Sequence, residues 1–280
     1  MSLAGAGALV EAAAARGRAV AAFNVITLEQ AEAVVAAAEA TGRPVILQVS
    51  QNAIRFRRGF APLLAACREL AAAAEVPVGL HLDHIDDAAL ASAALERSGG
   101  LGLTSLMFDG SRSDYAANVA LTAGVVHEAR ARGIWVEAEL GEIGGKDGAH
   151  APGVRTDPDE ARAFVGATAV DALAVAVGSS HAMRDRTARL DLALIATLRD
   201  ALDVPLVLHG SSGVPDDQLS AAVDAGIRKV NIGTALAIAG TTRLREELAA
   251  KPDAVDPRAY LAGVRESTAE AAAHLLEVVG

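Results

Sequence analysis

The sequence predicts an α/β fold, a single-domain (β/α)8 TIM barrel over residues 1–280. Short apolar runs bounded by turn residues alternate with alanine-rich helical segments, which is typical of parallel strands buried on both faces. Eight such runs occur, and 280 residues is a normal length for one barrel of this kind. No proline- or serine-rich linker and no internal repeat divides the chain.

Local signals give the expected boundaries of each element. Strands are expected at 18–23, 44–49, 77–83, 103–108, 134–139, 170–177, 204–209 and 227–232. Helices are expected at 28–41, 59–74, 86–98, 113–132, 157–167, 190–202, 215–225 and 234–250, with one more at each end. Residues that suit strand entries are Pro44, Pro77 and Pro205, and residues that suit helix starts are Thr27, Asp86, Asp157 and Pro215.

Two segments are expected to lie outside the regular alternation. Residues 141–158 are rich in glycine and charge and directly follow the fifth strand, so we expect a lid loop over the barrel mouth. Residues 255–280 are expected to form a C-terminal helical extension. The domain is otherwise predicted to be continuous.

Composition and charge exclude several classes of function. The net charge of −10 argues against binding a nucleic-acid backbone, which requires clustered basic residues. No basic segment precedes an apolar core and no apolar run approaches about 18 residues, so we expect a soluble, cytoplasmic protein that does not bind membranes. The lone Cys67 lies in a helical run and is expected to be a buried structural thiol. The basic run Arg55, Arg57 and Arg58 is either a solvated loop or an anion contact.

A polar residue follows every predicted strand. In this fold the active site lies at the carboxyl ends of the strands, where residues that are remote in sequence meet. The residues at these ends are Asn24, Ser50, Asp83 with His84, Asp109, Glu139, His181, His209, and Asn231 with Thr234. Structural strands need no such set, so the pattern as a whole indicates an active site.

Three of these residues are histidines, and they indicate a metal site. Imidazoles of His84, His181 and His209, with one open position, are typical of catalytic zinc. The other histidines are expected to be structural or lie elsewhere: His81 below Asp83 inside the barrel, His127 and His274 on helices, and His150 in the lid.

Carboxylates accompany the histidines. Asp83 is expected to face the cavity beside the metal, where it either transfers a proton or orients an imidazole. Asp109 and Glu139 suit the support of a ligand or an alternate ligand position better.

The loop after the seventh strand, HGSSGVPDDQL, predicts a phosphate site or an ordinary tight turn. Its glycines allow close backbone approach, and its amides and hydroxyls, together with a helix terminus, can bind a phosphate. The neighbouring NIGT of the eighth strand adds further donors.

These motifs resemble one known family. FNV, QVS, LHLDH, MFDGS, EAELGEIGG, GSSH, LHGSSGVP and KVNIGT, in this order over roughly residues 18 to 265, are similar to those of class II (zinc-dependent) ketose-bisphosphate aldolases of the fructose and tagatose type. The resemblance implies zinc on His84, His181 and His209, Asp83 as catalytic acid and base, and Glu139 and Asp109 at alternate or second metal positions, with a second divalent or a monovalent cation possible.

The resemblance also implies the substrate contacts and the reaction. It places Asn24, Ser50 and Asn231 on the carbon chain and Gly210, Ser212 and Thr234 on the phosphate of the dihydroxyacetone-phosphate half. A ketose bisphosphate would be cleaved reversibly to dihydroxyacetone phosphate and an aldehyde such as glyceraldehyde 3-phosphate, by a homodimer or homotetramer acting in glycolysis.

The sequence departs from the family pattern around the substrate. Ala182 and Gly233 replace a usual glycine and a usual acidic or amide residue, and Lys146 with Asp147 stands where two glutamates are usual. Asp147 or Glu142 is therefore expected to move the C3 proton.

Three alternatives stay open at this point. They are a related zinc aldolase for a different phosphorylated ketose, a non-catalytic sugar-phosphate binding barrel, and a Schiff-base aldolase. The last requires a lysine in the cavity, and Lys229, two residues below Asn231, is expected to lie too deep for that task.

Overall fold

The computed structural model is a closed barrel of eight parallel strands, and it describes residues 2–140, 154–180 and 185–280. The strands follow one another around the barrel in sequence order, and the last pairs with the first. They are β1 (Val20–Asn24), β2 (Val45–Ser50), β3 (Val78–Ile85), β4 (Ser105–Phe108), β5 (Trp135–Glu139), β6 (Ala172–Ala174), β7 (Leu206–Leu208) and β8 (Ile227–Ile232). The predicted fold class is confirmed.

The helices pack around the outside of this barrel. Within the described ranges they are α1 (Ala6–Ala14), α2 (Leu28–Thr41), α3 (Gln51–Arg57), α4 (Ala61–Ala73), α5 (Ala88–Glu96), α6 (Ser98–Leu101), α7 (Tyr115–Arg130), α8 (Pro158–Thr168), α9 (Leu192–Ala201), α10 (Asp216–Ala225), α11 (Thr234–Ala250) and α12 (Arg258–Val279). Helix α12 lies in the expected C-terminal extension, whereas most of the expected lid lies outside the described residues. None of the described helices combines the length and the apolar character that spanning a bilayer requires.

The capping signals account for most helix starts. Thr27 accepts a hydrogen bond from the amide of Gln30 and forms a full capping box, so α2 begins where the sequence predicts. Asp157 likewise accepts from two amides at the start of α8. Asp86 is the exception, because Asp87 caps α5 and Asp86 instead accepts hydrogen bonds from Gln51 and Arg55.

Helix α3 is absent from the sequence prediction. The side chain of Ser50, the last residue of β2, accepts from the amide of Ala53 and starts the helix directly at the strand end. Helix α3 ends in the basic run, where Arg58 takes a left-handed conformation with φ 57°. The run is therefore a helix C-terminus, at which positive side chains suit the helix dipole.

The two ends of the barrel interior differ in chemistry. At the amino ends of the strands, α1 closes the barrel with an apolar cluster that comprises Ala6, Leu9, Val10, Ala13, Val20, Ala22 and Ile46. Toward the carboxyl ends the interior carries buried polar side chains, among them Gln48, His81, Glu137, His209 and Lys229. Buried polar and charged groups are tolerated only where they find partners, so this upper layer is specified by hydrogen bonds rather than by apolar packing.

Two buried titratable groups play structural parts, as expected. His81 lies inside the barrel with Nδ1 2.8 Å from Oγ of Ser105. Burial, followed by the nearby charge of Lys229, lowers the pKa of His81 well below its usual value, so the ring is neutral. Burial raises the pKa of the Cys67 thiol in α4 to about 12, which leaves the thiol unreactive at neutral pH.

Candidate active site at the carboxyl ends of the strands

The strand ends converge on one pocket at the mouth of the barrel. Residues from β1, β3, β8 and the loops after β6, β7 and β8 line it, namely Asn24, Asp83, His84, Ser180, His209, Gly210, Ser211, Ser212, Asn231, Gly233 and Thr234. Of the predicted site residues, eight line this pocket, which is the convergence expected of a parallel barrel.

Two histidines from distant parts of the chain meet at its floor. Nδ1 of His209 lies 2.9 Å from Nε2 of His84, although the two residues are 125 positions apart. The rings cross at 75° with their centroids 4.7 Å apart. His84 and His209 are therefore placed to share one ligand.

The backbone at His84 is strained so that this meeting can occur. His84 has φ 50°, in the left-handed region that a histidine rarely occupies. The register between β3 and β4 also shifts between Leu82 and Ile85, which marks an irregularity at the same point. The irregularity turns His84 to the barrel mouth beside Asp83, and strain of this kind is typical of functional sites.

Asp83 is buried and held by two amides. Its Oδ2 accepts from Nδ2 of Asn24 at 3.0 Å, and its Oδ1 accepts from Nδ2 of Asn231 at 3.4 Å. Burial raises the pKa of Asp83, but the electrostatic effect of nearby His84, His209 and Lys229 outweighs burial and leaves the pKa below its usual value. Asp83 is thus a carboxylate at neutral pH, about 4.0 Å from Nε2 of His84.

Each histidine of the pair is fixed by a carboxylate on its far side. Nδ1 of His84 lies 2.9 Å from Oδ2 of Asp109, and Nε2 of His209 lies 2.7 Å from Oε1 of Glu137. A carboxylate can only accept, so the proton of each ring sits on that far nitrogen. Both rings then turn an acceptor nitrogen toward the same point.

This donor set fits a divalent metal ion. Two acceptor nitrogens 2.9 Å apart repel each other unless a cation lies with them, and neutral imidazole is a preferred ligand of zinc. Oxygen and nitrogen atoms of Asp83, His84 and His209 lie within 4.8 Å of one another, as do those of His84, Asp109 and Glu139. The third expected histidine, His181, lies outside the described residues, as do Glu142, Lys146, Asp147, His150 and Ala182.

The two donor groups share His84 but use different ring nitrogens. Nδ1 of His84 is 3.9 Å from Oε2 of Glu139, on the side of Asp109 rather than of Asp83. Asn118 supports this side by donating to the backbone carbonyl of Glu139 at 3.1 Å. Asp109 and Glu139 therefore lie on the Nδ1 side of His84, away from Asp83.

The opposite corner of the pocket is built from the loops after β7 and β8. Gly210 has φ 67°, and a Cβ there would lie 2.7 Å from the backbone carbon and oxygen of Ser180. Only glycine allows the two loops to approach this closely. Ser212 accepts from the amide of Ala235 at 3.0 Å, and Thr234 is the first residue of the 17-residue α11, so hydroxyls and a helix N-terminus meet here.

Ser50 stands apart from the residues that line the pocket. It pairs in register with Asp83 on the neighbouring strand, but its side chain caps α3. Sequence motifs do not single out Glu137 and Gln48, although both are buried and hydrogen-bonded to residues of the site, His209 and Asn24 respectively. Glu137 is two positions from Glu139, so strand alternation places both on the inner face, and that spacing was the available signal.

Comparisons with known proteins agree with this geometry. A family model described as fructose-bisphosphate aldolase class-II matches residues 5–280. A fructose-bisphosphate aldolase of Geobacillus stearothermophilus is 39% identical over 259 residues, which cover 91% of this chain and 89% of that protein. A probable fructose-bisphosphate aldolase of Bacillus subtilis is 38% identical over 266 residues, which cover 94% of this chain and 92% of the relative.

A solved structure shows the same architecture. The YdjI aldolase of Escherichia coli superimposes with a TM-score of 0.83 at 31% identity, and the match covers 99% of this chain and 97% of that one. The family model and the two relatives match this chain over nearly its whole length, and these matches establish its family. The chain belongs to the class II fructose-bisphosphate aldolase family, which consists of metal-dependent lyases.

Proposed function

We propose that this chain is a zinc-dependent aldolase that reversibly cleaves fructose 1,6-bisphosphate or tagatose 1,6-bisphosphate between C3 and C4. The products are dihydroxyacetone phosphate and glyceraldehyde 3-phosphate. The observation that carries the proposal is the buried Asp83 carboxylate, held by two amides beside the paired nitrogens of His84 and His209. A protein that only bound sugar phosphates would have no need of a desolvated base beside its metal ligands.

The metal ligands in this proposal are His84, His209 and His181. The tautomers of His84 and His209 support this assignment. Asp109 and Glu137 each accept a hydrogen bond from one ring nitrogen, which leaves the other nitrogen unprotonated for the metal. Zinc, when bound, polarises the ketose carbonyl and stabilises the negative charge left by bond cleavage. The carboxylates of Asp109 and Glu139, on the Nδ1 side of His84, are assigned to an alternate or second metal position.

Asp83 is the proton acceptor for cleavage. It takes the proton of the C4 hydroxyl while the C3–C4 bond breaks, so that C4 becomes the aldehyde carbon and the electron pair stays on C3. In condensation the same proton returns to the oxygen. The amides of Asn24 and Asn231 hold both carboxylate oxygens in place for this transfer and contact the hydroxyls of the carbon chain.

The phosphate of the dihydroxyacetone-phosphate half is assigned to the corner formed by Gly210, Ser212 and Thr234. Backbone amides, hydroxyls and the N-terminus of α11 converge there, and all of these groups donate to an anion. Ser50 is assigned to the carbon chain and hydroxyls of the substrate, because it pairs in register with Asp83 on the neighbouring strand. The group that moves the C3 proton is assigned to Glu142 or Asp147.

We also propose an oligomeric state, a pathway and a compartment for this enzyme. We assign the enzyme to glycolysis in the cytoplasm and expect a homodimer or homotetramer. Closed symmetric assemblies are the commonest form of soluble oligomers. Exposed apolar side chains at Ile26, Leu28 and Phe56, which is 72% exposed, offer a surface for such contacts. Light scattering coupled to gel filtration measures the mass directly.

The decisive experiment combines a substrate panel with removal of the metal. Purified enzyme is assayed for triose-phosphate release from fructose 1,6-bisphosphate, tagatose 1,6-bisphosphate and monophosphorylated ketoses, before and after exhaustive chelation and after addition of zinc. We expect activity on one bisphosphate that disappears on chelation and returns with zinc. Full activity in metal-free protein would overturn the proposal.

The panel also separates the alternatives. Release only from another phosphorylated ketose would assign the related zinc aldolase, and zinc binding without turnover of any ketose would assign the non-catalytic barrel. A Schiff-base mechanism is disfavoured by Lys229, whose ammonium is fully buried and bonded to three acceptors below the pocket. Borohydride trapping with substrate tests that alternative independently.

A further inference from the structure

We propose that Lys229 is a positioning residue, whose three ammonium hydrogens set the direction of three hydrogen-bond chains that end on both oxygens of Asp83 and on His209. This inference rests on the proposed function for the role of Asp83. Lys229 lies on β8 and is fully buried. It is absent from the residues that line the pocket, so it acts through its neighbours and not on the substrate.

The ammonium makes three short contacts, one for each of its hydrogens. Nζ of Lys229 is 2.8 Å from Oε1 of Gln48, 2.8 Å from Oε2 of Glu137 and 2.6 Å from Oδ1 of Asn231. A lysine ammonium donates and never accepts. Each partner must therefore present an oxygen to it, and this fixes which way every amide in the cluster points.

The first chain runs through Gln48 to Asp83. Because Oε1 of Gln48 faces Lys229, its Nε2 faces the other way and donates to Oδ1 of Asn24 at 3.2 Å. The amide of Asn24 is thereby fixed with its Nδ2 toward Oδ2 of Asp83, at 3.0 Å. Reversal of the Gln48 amide would place two donors or two acceptors together at each joint.

The second chain runs through Asn231. Its Oδ1 accepts from Lys229, so its Nδ2 is the atom that faces Oδ1 of Asp83, at 3.4 Å. Both oxygens of Asp83 thus receive amide hydrogens whose direction is set from the same ammonium. Asp83 is held as an acceptor on two sides, with its remaining lone pairs directed to the pocket.

The third chain runs through Glu137 to His209. One carboxylate oxygen accepts from Lys229 and the other accepts from Nε2 of His209 at 2.7 Å, which leaves Nδ1 of His209 to face His84. Nδ2 of Asn231 also lies 2.9 Å from Nε2 of His209. Both of these nitrogens carry hydrogen when Nε2 of His209 donates to Glu137, so this approach is a contact and not a hydrogen bond.

The variant Lys229→Met tests these hydrogen-bond chains, because methionine has a similar length but lacks the three ammonium hydrogens. We expect kcat to fall at least about tenfold, because the Asp83 amides lose their fixed direction, whereas KM changes little because the phosphate corner is untouched. We expect zinc affinity, measured by competition with a chromophoric chelator, to fall about tenfold or more, the usual scale for loss of a group that orients a metal ligand.

Coupling to Asp83 separates positioning from mere structural support. At saturating zinc in an Asp83→Asn background, Lys229→Met should lower kcat much less than in the wild-type background, because the carboxylate that the two amide chains orient is already gone. A purely structural effect of Lys229→Met would lower kcat in both backgrounds alike. The matched control is Ser105→Ala, which removes a buried hydrogen bond of the same barrel interior but lies on none of the three chains. It should leave kcat and the zinc dissociation constant within about twofold of wild type.

A second variant guards against misfolding. Lys229→Met leaves the buried Glu137 carboxylate without its counter-charge, so the double variant Lys229→Met/Glu137→Gln removes both charges at nearly constant volume. A folded variant of either kind with kcat and zinc affinity like wild type would overturn the inference. Failure of the proposed function is distinguishable from failure of this inference. A wild-type protein without aldolase activity would overturn the proposed function, whereas the effect of Lys229→Met on zinc affinity is measured without substrate and tests the inference separately.

Discussion

The close approach of the β6 and β7 loops predicts that Gly210→Ala is costly for two separable reasons. Alanine at φ 67° adopts the left-handed conformation at a cost of about 1–2 kcal/mol. The added Cβ would also lie 2.7 Å from the backbone carbon and oxygen of Ser180, well inside an ordinary carbon contact of about 3.5–4.0 Å. Relief requires a backbone shift, which typically costs about 1–3 kcal/mol. We therefore expect a total loss of about 2–5 kcal/mol in the free energy of unfolding.

Gly42 supplies the matched control. It ends α2 at φ 65°, nearly the same backbone conformation, and a Cβ there would meet nothing within 4 Å. Gly42→Ala should therefore cost only the conformational part, about 1–2 kcal/mol. The difference between the two variants isolates the contact with Ser180.

Urea unfolding of the metal-free protein, followed by circular dichroism, measures both costs under one condition. Gly210→Ala should also raise KM for the bisphosphate, because the phosphate corner moves with the loop, while Gly42→Ala leaves KM unchanged. Equal stability losses in the two variants would refute the argument that backbone approach, and not φ alone, requires glycine at 210.

Two further predictions concern carboxylates. Asp83→Asn should retain zinc but lower kcat at least about 100-fold, the scale of a lost general base, and turnover like wild type in steady-state assays would remove Asp83 from its assigned role. Asp216 accepts hydrogen bonds from Arg186 and His274; burial raises its pKa, but these partners outweigh burial and lower it. A lowered pKa stabilises the fold above the ordinary aspartate range, and this effect is lost as the pH falls through the lower pKa of the folded state. Asp216→Asn should therefore cost less than about 1 kcal/mol at pH 7 and progressively less as the pH falls below the ordinary aspartate range, as measured by urea unfolding; a cost that does not decline with pH contradicts this.

The architecture could be predicted because barrel strands and their caps are local features. The capping box at Thr27 and the cap at Asp157 depend on neighbours within three residues, and both helices start where expected. The convergence of His84 and His209 could be predicted for a different reason. Once the strands are assigned to a parallel barrel, their carboxyl ends must meet at one end of it. Helix α3 was missed because Ser50 ends a strand and caps a helix at once, which leaves no loop to signal the change.

The buried layer below the site could be predicted only in part. Lys229 was expected to lie deep, and it does, but its partners come from β2, β5 and β8, and no local pattern links Gln48 with Glu137. A charged residue in the middle of an apolar strand is the available signal, because such a group must find partners across the barrel. The motif LHLDH does not predict the positive φ of His84, because the register shift between β3 and β4 depends on both strands.

The strain at His84 predicts that glycine at this position stabilises the fold more than alanine does, the reverse of the order in an ordinary strand. In an ordinary strand, glycine is less stable than alanine by roughly 0.5–1 kcal/mol. At φ 50°, however, alanine retains the left-handed strain that histidine bears, whereas glycine does not. Metal-free His84→Gly should therefore be more stable than His84→Ala, by about 1 kcal/mol in urea unfolding. Both variants lack the imidazole and should bind zinc equally weakly, so the comparison isolates the backbone. Greater stability of the alanine variant would show that the strand relaxes once the ring is removed, and that the ring itself imposes the conformation.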